Sequence, residues 1–177
     1  MEEDTSYEDG DYSWVELTVE EVSSSIIRLV SEHINEILNT EEYYEPQSYH
    51  VTLFHGYESR HTNKIVSLIK GHLSKPIELT LGRITLDRTH PVIRVGIEPH
   101  QLLSTIFNDL RNHTPNCHMQ SSNDYEPHLT IAKTTNYALA ELEIGTISRM
   151  LEGLKIKISK VRCFGPEGDM IKQFSLG

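Results

Sequence analysis

The sequence predicts an α+β fold in which strands and helices interleave and an early run of elements recurs later in the chain. Apolar residues alternate in some segments and recur at helical spacing in others. The resulting order is β-α-β-α-β-β-α-β-α-β-β, so a β-α-β-α unit appears twice and the second copy carries additional strands. No Gly-, Pro- or Ser-rich linker divides residues 12–177, which we expect to form one domain after a flexible acidic lead-in at residues 1–11.

The first half opens with a half-buried strand and an amphipathic helix. Residues 12–19 alternate in polarity, which predicts a strand with two distinct faces. One face carries Val15, Leu17 and Val19, and the other carries Trp14, Glu16 and Thr18. Helical spacing of apolar residues predicts a helix over roughly 20–39, followed by a polar loop and a strand at 48–54. We expect a second helix to begin near Thr62 or Asn63.

The second half repeats this interleaving with more strands. Segments 76–86 and 91–99 predict two strands joined by a turn, and segment 100–113 predicts a helix with an apolar face. A polar loop precedes a strand at 128–132. Residues 136–153 predict a fourth helix, which could break at Gly145. Residues 154–165 and 170–176 predict a terminal hairpin around a turn at 166–169.

The charge and cysteine content restrict the partners and the compartment that we expect. The net charge is −10, six acidic residues lie in the first 11 positions, and no basic stripe follows, so we expect no long nucleic acid as a partner. No apolar run approaches a membrane span, and the N-terminus does not resemble a signal peptide. Cys117 and Cys163 have no disulfide-framework or zinc-ligand spacing. We therefore expect no membrane partner and a reducing, cytoplasmic setting.

Two short strands carry the same polar pair. The segments HVTL (50–53) and HLTI (128–131) contain the two His-x-Thr triplets of the chain, and both place apolar residues second and fourth. Residues i and i+2 of a strand share a face, so His50 projects with Thr52, and His128 projects with Thr130. If the helices cover the apolar faces, the two polar pairs line one open cleft.

Such a cleft suits phosphoester chemistry. An imidazole titrates near neutral pH, so one histidine can accept a proton while the other donates one. Threonine hydroxyls can donate hydrogen bonds to the phosphate oxygens on which negative charge accumulates. Base and acid are both protein groups, so this chemistry requires no metal or other cofactor.

The paired motifs, 78 positions apart in a chain of this size and element order, resemble those of the 2H (LigT-like, 2'-5' RNA ligase-like) phosphoesterases. The resemblance covers about residues 12–177. It implies a bilobal fold of two mainly antiparallel sheets around a central cleft, with outer helices and pseudo-two-fold symmetry. It also implies metal-independent action on 2',3'-cyclic phosphates or 2'-5' phosphodiesters. By motif position, His50 and His128 would be the acid–base pair and Thr52 and Thr130 the phosphate ligands.

The resemblance also limits the substrate classes. Some 2H enzymes act on 2',3'-cyclic phosphates of RNA, and others degrade 2'-5' oligoadenylate or cyclic dinucleotides that signal infection. The acidic balance favours a small 2'-5'-linked nucleotide, such as 2',3'-cyclic GMP–AMP or 2'-5' oligoadenylate. A role in immune evasion would follow only from the resemblance. The alternatives are a 2',3'-cyclic phosphodiesterase acting on RNA or nucleotides and a non-catalytic nucleotide-binding module.

Further substrate contacts are expected from aromatic and basic residues near the motifs, where rings can stack on bases and cations can contact phosphate. These candidates are Trp14, Tyr44, Tyr49, Arg94, Tyr125 and Lys133. Trp14 and Arg94 fall on the cleft side of their strands by alternation, whereas Lys133 has the wrong parity for the His128 face but lies at the strand end.

A metal-dependent hydrolase is a further alternative. His50, His55 and His128 could supply imidazoles to zinc, but alternation places His55 on the face opposite His50. We therefore expect His55 to pack or to lie at an edge. No cysteine or carboxylate with ligand spacing joins these histidines, so the sequence predicts no metal site.

Overall fold

The computed structural model describes residues 12–38, 48–117 and 125–177. Within these residues the chain forms strands and helices in the predicted order, which confirms the α+β class. The predicted lead-in at residues 1–11 and the candidate Tyr44 lie outside the described residues.

The elements differ from the sequence prediction mainly at their ends. The strands are β1 (Ser13–Val19), β2 (His50–Tyr57), β3 (Ile77–Asp87), β4 (Val92–Glu98), β5 (His128–Lys133), β6 (Lys155–Phe164) and β7 (Met170–Ser175). The helices are α1 (Glu21–Leu38), α2 (Thr62–His72), α3 (Gln101–His113) and α4 (Tyr137–Leu151), with a 3₁₀ turn at Ser59–His61 before α2. Helix α4 runs unbroken through Gly145, because one helical glycine weakens a helix by only about 1 kcal/mol.

The strands form one antiparallel sheet that closes on itself. Their order is β1-β2-β5-β4-β3-β6-β7, and β1 also pairs with β6. Two lobes are recognisable in this sheet, one formed by β1, β2, β6 and β7 and the other by β3, β4 and β5. They meet through four residue pairs between β3 and β6 and through the single pair Val51–Leu129 between β2 and β5. The two sheets that the family resemblance implies are therefore joined at both margins into one sheet.

Two pairs of helices cover the outer face of the sheet, one pair on each lobe. Helix α1 contacts β5 and packs against α4, which lies on β3, so both cover the second lobe. Helix α3 contacts β2 and packs against α2 beneath the first lobe. The core side chains of the motif strands, including Val51, Leu53, Leu129 and Ile131, are fully buried on this helix side. The opposite face of the sheet, here called the cleft face, carries the polar side chains.

Matching β-bulges interrupt the two motif strands. On β2, Leu53 is the extra residue between the pairs Glu16–Thr52 and Val15–Phe54. On β5, Ile131 is the extra residue between the pairs Arg94–Thr130 and Ile93–Ala132. Each bulge follows the motif threonine directly, so two consecutive apolar residues are buried and the facing of the strand reverses beyond them.

Candidate active site

The two motif histidines begin adjacent antiparallel strands. His50 is the first residue of β2 and His128 is the first residue of β5. The pair Val51–Leu129 fixes the register, and one step in each direction places His50 across from Thr130 and Thr52 across from His128. Diagonal neighbours in such a ladder have Cβ atoms about 7–8 Å apart. The topology therefore brings both motifs to one point on the cleft face.

Both imidazoles are oriented in the same way. The Nδ1 of His50 lies 3.3 Å from the Ser48 carbonyl oxygen, and the Nδ1 of His128 lies 2.9 Å from the Glu126 carbonyl oxygen. A carbonyl oxygen can only accept, so each Nδ1 carries a proton and donates it. In both rings this leaves the Nε2 atom available to accept or donate a proton.

The motif threonines supply hydroxyls beside these rings. Thr52 and Thr130 are both half-buried, and no other described residue is hydrogen-bonded to either hydroxyl. Each hydroxyl can therefore donate to an oxygen of a bound phosphate without breaking an existing contact. The Thr52 carbonyl, in contrast, accepts a hydrogen bond from the Tyr125 hydroxyl at 3.0 Å, which ties β2 to the segment entering β5.

A buried carboxylate lies beside His50. Glu16 is only 5% exposed, and its Oε2 atom is 3.5 Å from the Nδ1 of His50. Burial raises the pKa of Glu16, and the positive charges of His50 and Arg162 oppose that rise. Arg162 lies across from Glu16 on β6 and donates to the Ser48 hydroxyl at 2.9 Å. Glu16 and Arg162 thus fix the surroundings of the first histidine.

A cation occupies the matching position beside His128. Arg94 lies across from Thr130, as Glu16 lies across from Thr52, and it forms an ion pair with Asp87. Burial lowers the pKa of His128, and the Arg94 charge lowers it further, whereas the Glu126 carbonyl partly opposes these effects. The two halves of the site are therefore similar in backbone and opposite in charge.

Two cavities lie near the motif histidines. One, of about 410 Å³, is not lined by His50 itself but by two of its neighbours, Thr18, which lies across from it, and Ser48; we call it the His50 cavity. The other, of about 340 Å³, is lined by His128 and Arg94; we call it the His128 cavity. A third cavity, of about 220 Å³, lies beside Thr52 and also contacts His128. Each of the two larger volumes is in the range of small-molecule sites.

The aromatic residues predicted to contact substrate differ in their burial and in their packing partners. Tyr49 is 1% exposed and belongs to the hydrophobic core, so the prediction that it contacts substrate is wrong. The residue precedes β2 directly, where its ring packs inward. Trp14 is half-buried, and its ring stacks on the Phe164 ring with the centroids 5.1 Å apart, which is a packing contact at the rim of the sheet. Tyr125 lines the His128 cavity but stacks one ring face on Phe107 at 4.3 Å.

The bulges correct the parity assigned to two residues. Residues that lie across from each other share a face of the sheet. His55 lies across from Trp14, which is on the cleft face, and Lys133 lies across from Val92, which shares the cleft face with Arg94. Both side chains therefore return to the cleft face, and both are exposed. Strict alternation predicted the opposite face for both, because the sequence does not reveal the extra residue in each strand.

Two charged residues of the site were not identified from the sequence. Glu16 was placed on the correct face by alternation, but its burial depends on β6, which pairs with β1 from the far end of the chain. Arg162 belongs to no sequence motif that would have marked it as a site residue. Among the described residues, no group of three or more histidine, cysteine or acidic side chains could hold a metal ion.

The chain matches a family model and several solved structures. Residues 24–169 match the model of the 2'-5' RNA ligase superfamily. The structure resembles E. coli LigT complexed with 3'-AMP, with a TM-score of 0.61, 16% identity and coverage of 94% of this chain and 98% of that chain. It also resembles Usb1 of Kluyveromyces marxianus with uridine monophosphate, with a TM-score of 0.57, 12% identity and coverage of 95% and 98%.

At these identities the two solved structures establish a shared fold. The sequence has no significant match among curated protein sequences.

Proposed function

The chain belongs to the 2'-5' RNA ligase superfamily of 2H phosphoesterases and is a phosphodiesterase, and from that premise we propose that it cleaves small 2'-5'-linked nucleotides by acid–base catalysis between His50 and His128. Candidate substrates are 2'-5' oligoadenylate and 2',3'-cyclic GMP–AMP. Thr52 and Thr130 bind the oxygens of the scissile phosphate.

The pair of cavities is the observation that carries this choice. A phosphodiester joins two nucleosides, whereas a terminal 2',3'-cyclic phosphate carries one. The His50 cavity is lined by Thr18 and Ser48, which neighbour His50, and the His128 cavity is lined by His128 itself, so each could receive one nucleoside of a substrate bound between the histidines. This arrangement favours a linkage with a residue on both sides over the cyclic phosphate alternative.

The net charge of the chain and the arginines near the motifs favour a small substrate with few phosphates. The net charge of −10 opposes a long polyanion, because no extended basic surface is available to replace its counterions. Local cations such as Arg94 and Arg162 are sufficient for one or two phosphates. Structures of two proteins of the same fold contain nucleoside monophosphates, which agrees with a small nucleotide.

The proposed reaction begins with attack by a neighbouring hydroxyl. One histidine Nε2 removes the proton from the 3'-OH next to the 2'-5' phosphodiester, and the 3'-oxygen attacks phosphorus. The bond from phosphorus to the 5'-oxygen breaks, and the second histidine donates a proton to that oxygen. The products are a 2',3'-cyclic phosphate and a free 5'-hydroxyl, and hydrolysis of the cyclic phosphate completes the turnover.

The opposite charges of the two halves support a division of roles. A base must be neutral at the start, and the lowered pKa of His128 favours that form at neutral pH. A general acid must start protonated, and the Glu16 carboxyl group, 3.5 Å from the Nδ1 of His50, places an acidic side chain beside that ring rather than a cation. We therefore assign His128 as the base and His50 as the acid.

The test is a substrate panel resolved by product. It contains matched 2'-5' and 3'-5' diadenylates, 2'-5' triadenylate, 2',3'-cyclic GMP–AMP, its 3'-5' isomer and 2',3'-cyclic AMP. We expect the 2'-5' compounds to be cleaved fastest, with a 2',3'-cyclic phosphate detectable early in the reaction. Turnover of 2',3'-cyclic AMP alone would establish the cyclic phosphodiesterase alternative, and binding without products would establish the nucleotide-binding module.

A further inference from the structure

We infer that the His50 cavity is a binding site for a second phosphate, carried by the nucleotide that leaves when the phosphodiester is cut. The inference rests on the proposed function and specifies its substrate class. The preferred substrates would be 2'-5' oligonucleotides of three or more residues, or cyclic dinucleotides, rather than dinucleoside monophosphates.

Cationic side chains converge on this cavity from two elements. Arg28 projects from α1, and Lys160 and Arg162 project from β6. Lys160 and Arg28 are exposed and are not ion-paired to any described residue, whereas Arg162 is held by hydrogen bonds to Ser48 and Gln173. One cation is therefore fixed in place and two can move toward a ligand. Such an arrangement suits a phosphate, which accepts several charge-assisted hydrogen bonds.

A buried hydroxyl without a partner points to a ligand at the same place. Thr18 lines the cavity and is 5% exposed, and no described residue is hydrogen-bonded to its Oγ1 atom. A buried hydroxyl without a partner is unfavourable, so the Thr18 hydroxyl is available to donate to a group bound in the cavity. A phosphate or sugar oxygen in the cavity would accept from Thr18 and remove that penalty.

Two acidic residues also line the cavity and limit its charge. Glu20 is partly neutralised by Lys157, whose Nζ lies 3.2 Å from the Glu20 carboxylate. Glu21 is exposed in the first turn of α1, where the free backbone N–H groups of the helix also lie. The lining thus holds three cations and two anions; Glu20 is already paired with Lys157, and Arg162 also lies across from Glu16.

The position of the cavity identifies which nucleotide it receives. The attacking and leaving oxygens lie on opposite sides of phosphorus in an in-line displacement. With His50 as the acid, the leaving 5'-oxygen is on the His50 side. The cavity lies next to that ring through Thr18 and Ser48, so the leaving nucleoside enters it together with any phosphate on its 2'-oxygen, as in a 2'-5' oligonucleotide, or on its 3'-oxygen, as in 2',3'-cyclic GMP–AMP.

The experiment compares three diadenylates with one 2'-5' linkage: an unmodified compound, one with a 3'-phosphate on the leaving adenosine, and one with a 5'-phosphate on the other adenosine. We expect the leaving-side phosphate to raise kcat/KM about tenfold, as one charge-assisted contact does. We expect Lys160→Gln and Arg28→Gln to reduce this ratio toward one. The matched control Lys155→Gln, on the same strand but paired with Glu78, should keep it.

Binding gives a readout that does not depend on turnover. Isothermal titration of adenosine and adenosine 3'-monophosphate should show tighter binding of the phosphate in the wild type and a smaller difference in Lys160→Gln than in the control Lys155→Gln. Thr18→Val should also weaken the phosphate complex without loss of folding, because it removes only an unpaired hydroxyl.

An unchanged ratio in Lys160→Gln and Arg28→Gln, or a gain only from the 5'-phosphate at the other end, would overturn the inference while leaving the phosphodiesterase intact. Absence of cleavage for all three compounds, with phosphate-selective binding retained, would contradict the proposed function instead.

Discussion

Two histidines and their immediate neighbours determine what this site can do. The rings are held alike by carbonyl groups two residues earlier in the chain, yet one faces Glu16 and the other faces Arg94. Since both strands have the same backbone arrangement, we propose that this difference in neighbouring charge divides the roles of acid and base between the two rings. A symmetric scaffold with asymmetric charge can bind a phosphodiester in one direction.

Replacing either histidine tests the acid–base pair directly. We expect His50→Ala and His128→Ala each to reduce kcat by about 100-fold or more, because general acid or base catalysis contributes roughly that much. Circular dichroism and the melting temperature should be nearly unchanged, since both rings are partly exposed. His33→Ala, on the exposed side of α1, serves as the control and should retain full activity. Full turnover by both single variants would contradict the assignment.

The charge of Arg94 should be visible in the pH dependence. Burial and Arg94 both lower the pKa of His128, whereas Asp87 on β3 and Glu126 before β5 raise it. A base is active when deprotonated, so its lowered pKa moves the acidic limb of kcat/KM to lower pH. In Arg94→Gln the pKa should rise and the limb should move to higher pH. Arg60→Gln, whose partner is Glu58, is the control. An unmoved acidic limb in Arg94→Gln would show that another group titrates there.

At the scale of elements, the two bulges explain why the motif strands present more than two polar side chains. Alternation accounts for His50 and Thr52, and for His128 and Thr130. The extra residues Leu53 and Ile131 then reverse the facing, so His55 and Lys133 come back to the cleft. Both bulges occur at the same motif position, which extends the internal repeat from element order to local geometry.

Helix α4 is expected to contribute stability rather than chemistry. Its N-cap is Asn136, whose side-chain oxygen accepts a hydrogen bond from the Leu139 backbone N–H at 3.2 Å. We expect Asn136→Ala to lower the free energy of unfolding by about 1 kcal/mol, a shift of about 2–4 °C in Tm for a chain of this size. Asn136→Asp keeps the acceptor and is the matched control. Thermal unfolding measures the stability, and kcat at low temperature should not change, because α4 packs on the outer face of β3. A Tm equal to that of the wild type in Asn136→Ala would show that the cap contributes nothing.

At the scale of the whole molecule, closure of the sheet brings distant parts of the chain to one cleft. Strand β6, near the end of the sequence, pairs with β1 near its beginning and with β3 in the middle. It supplies Arg162 beside Glu16 and Lys160 in the His50 cavity. The described helices include none with the length and hydrophobicity of a membrane span.

Metal removal tests the chemistry of the whole cleft. The proposed base, acid and phosphate ligands are all side chains, so we expect kcat to be unchanged after dialysis against EDTA and in the continued presence of chelator. Elemental analysis of the dialysed protein provides the control that no metal remains. Loss of activity that returns on addition of Zn²⁺ or Mn²⁺ would identify the metal-dependent alternative.

The sequence by itself determined the order of elements, the class of fold and the residues of the two His-x-Thr motifs. Those features depend on local periodicity and on short spacings, which are written directly in neighbouring residues. The closing of the sheet, the burial of Glu16, the inward packing of Tyr49 and the cations around the His50 cavity were decided only by the tertiary structure. These features depend on strands separated by tens to more than a hundred residues. The facing of His55 and Lys133 depends on two inserted residues, whose effect appears only when the partner strand is in place.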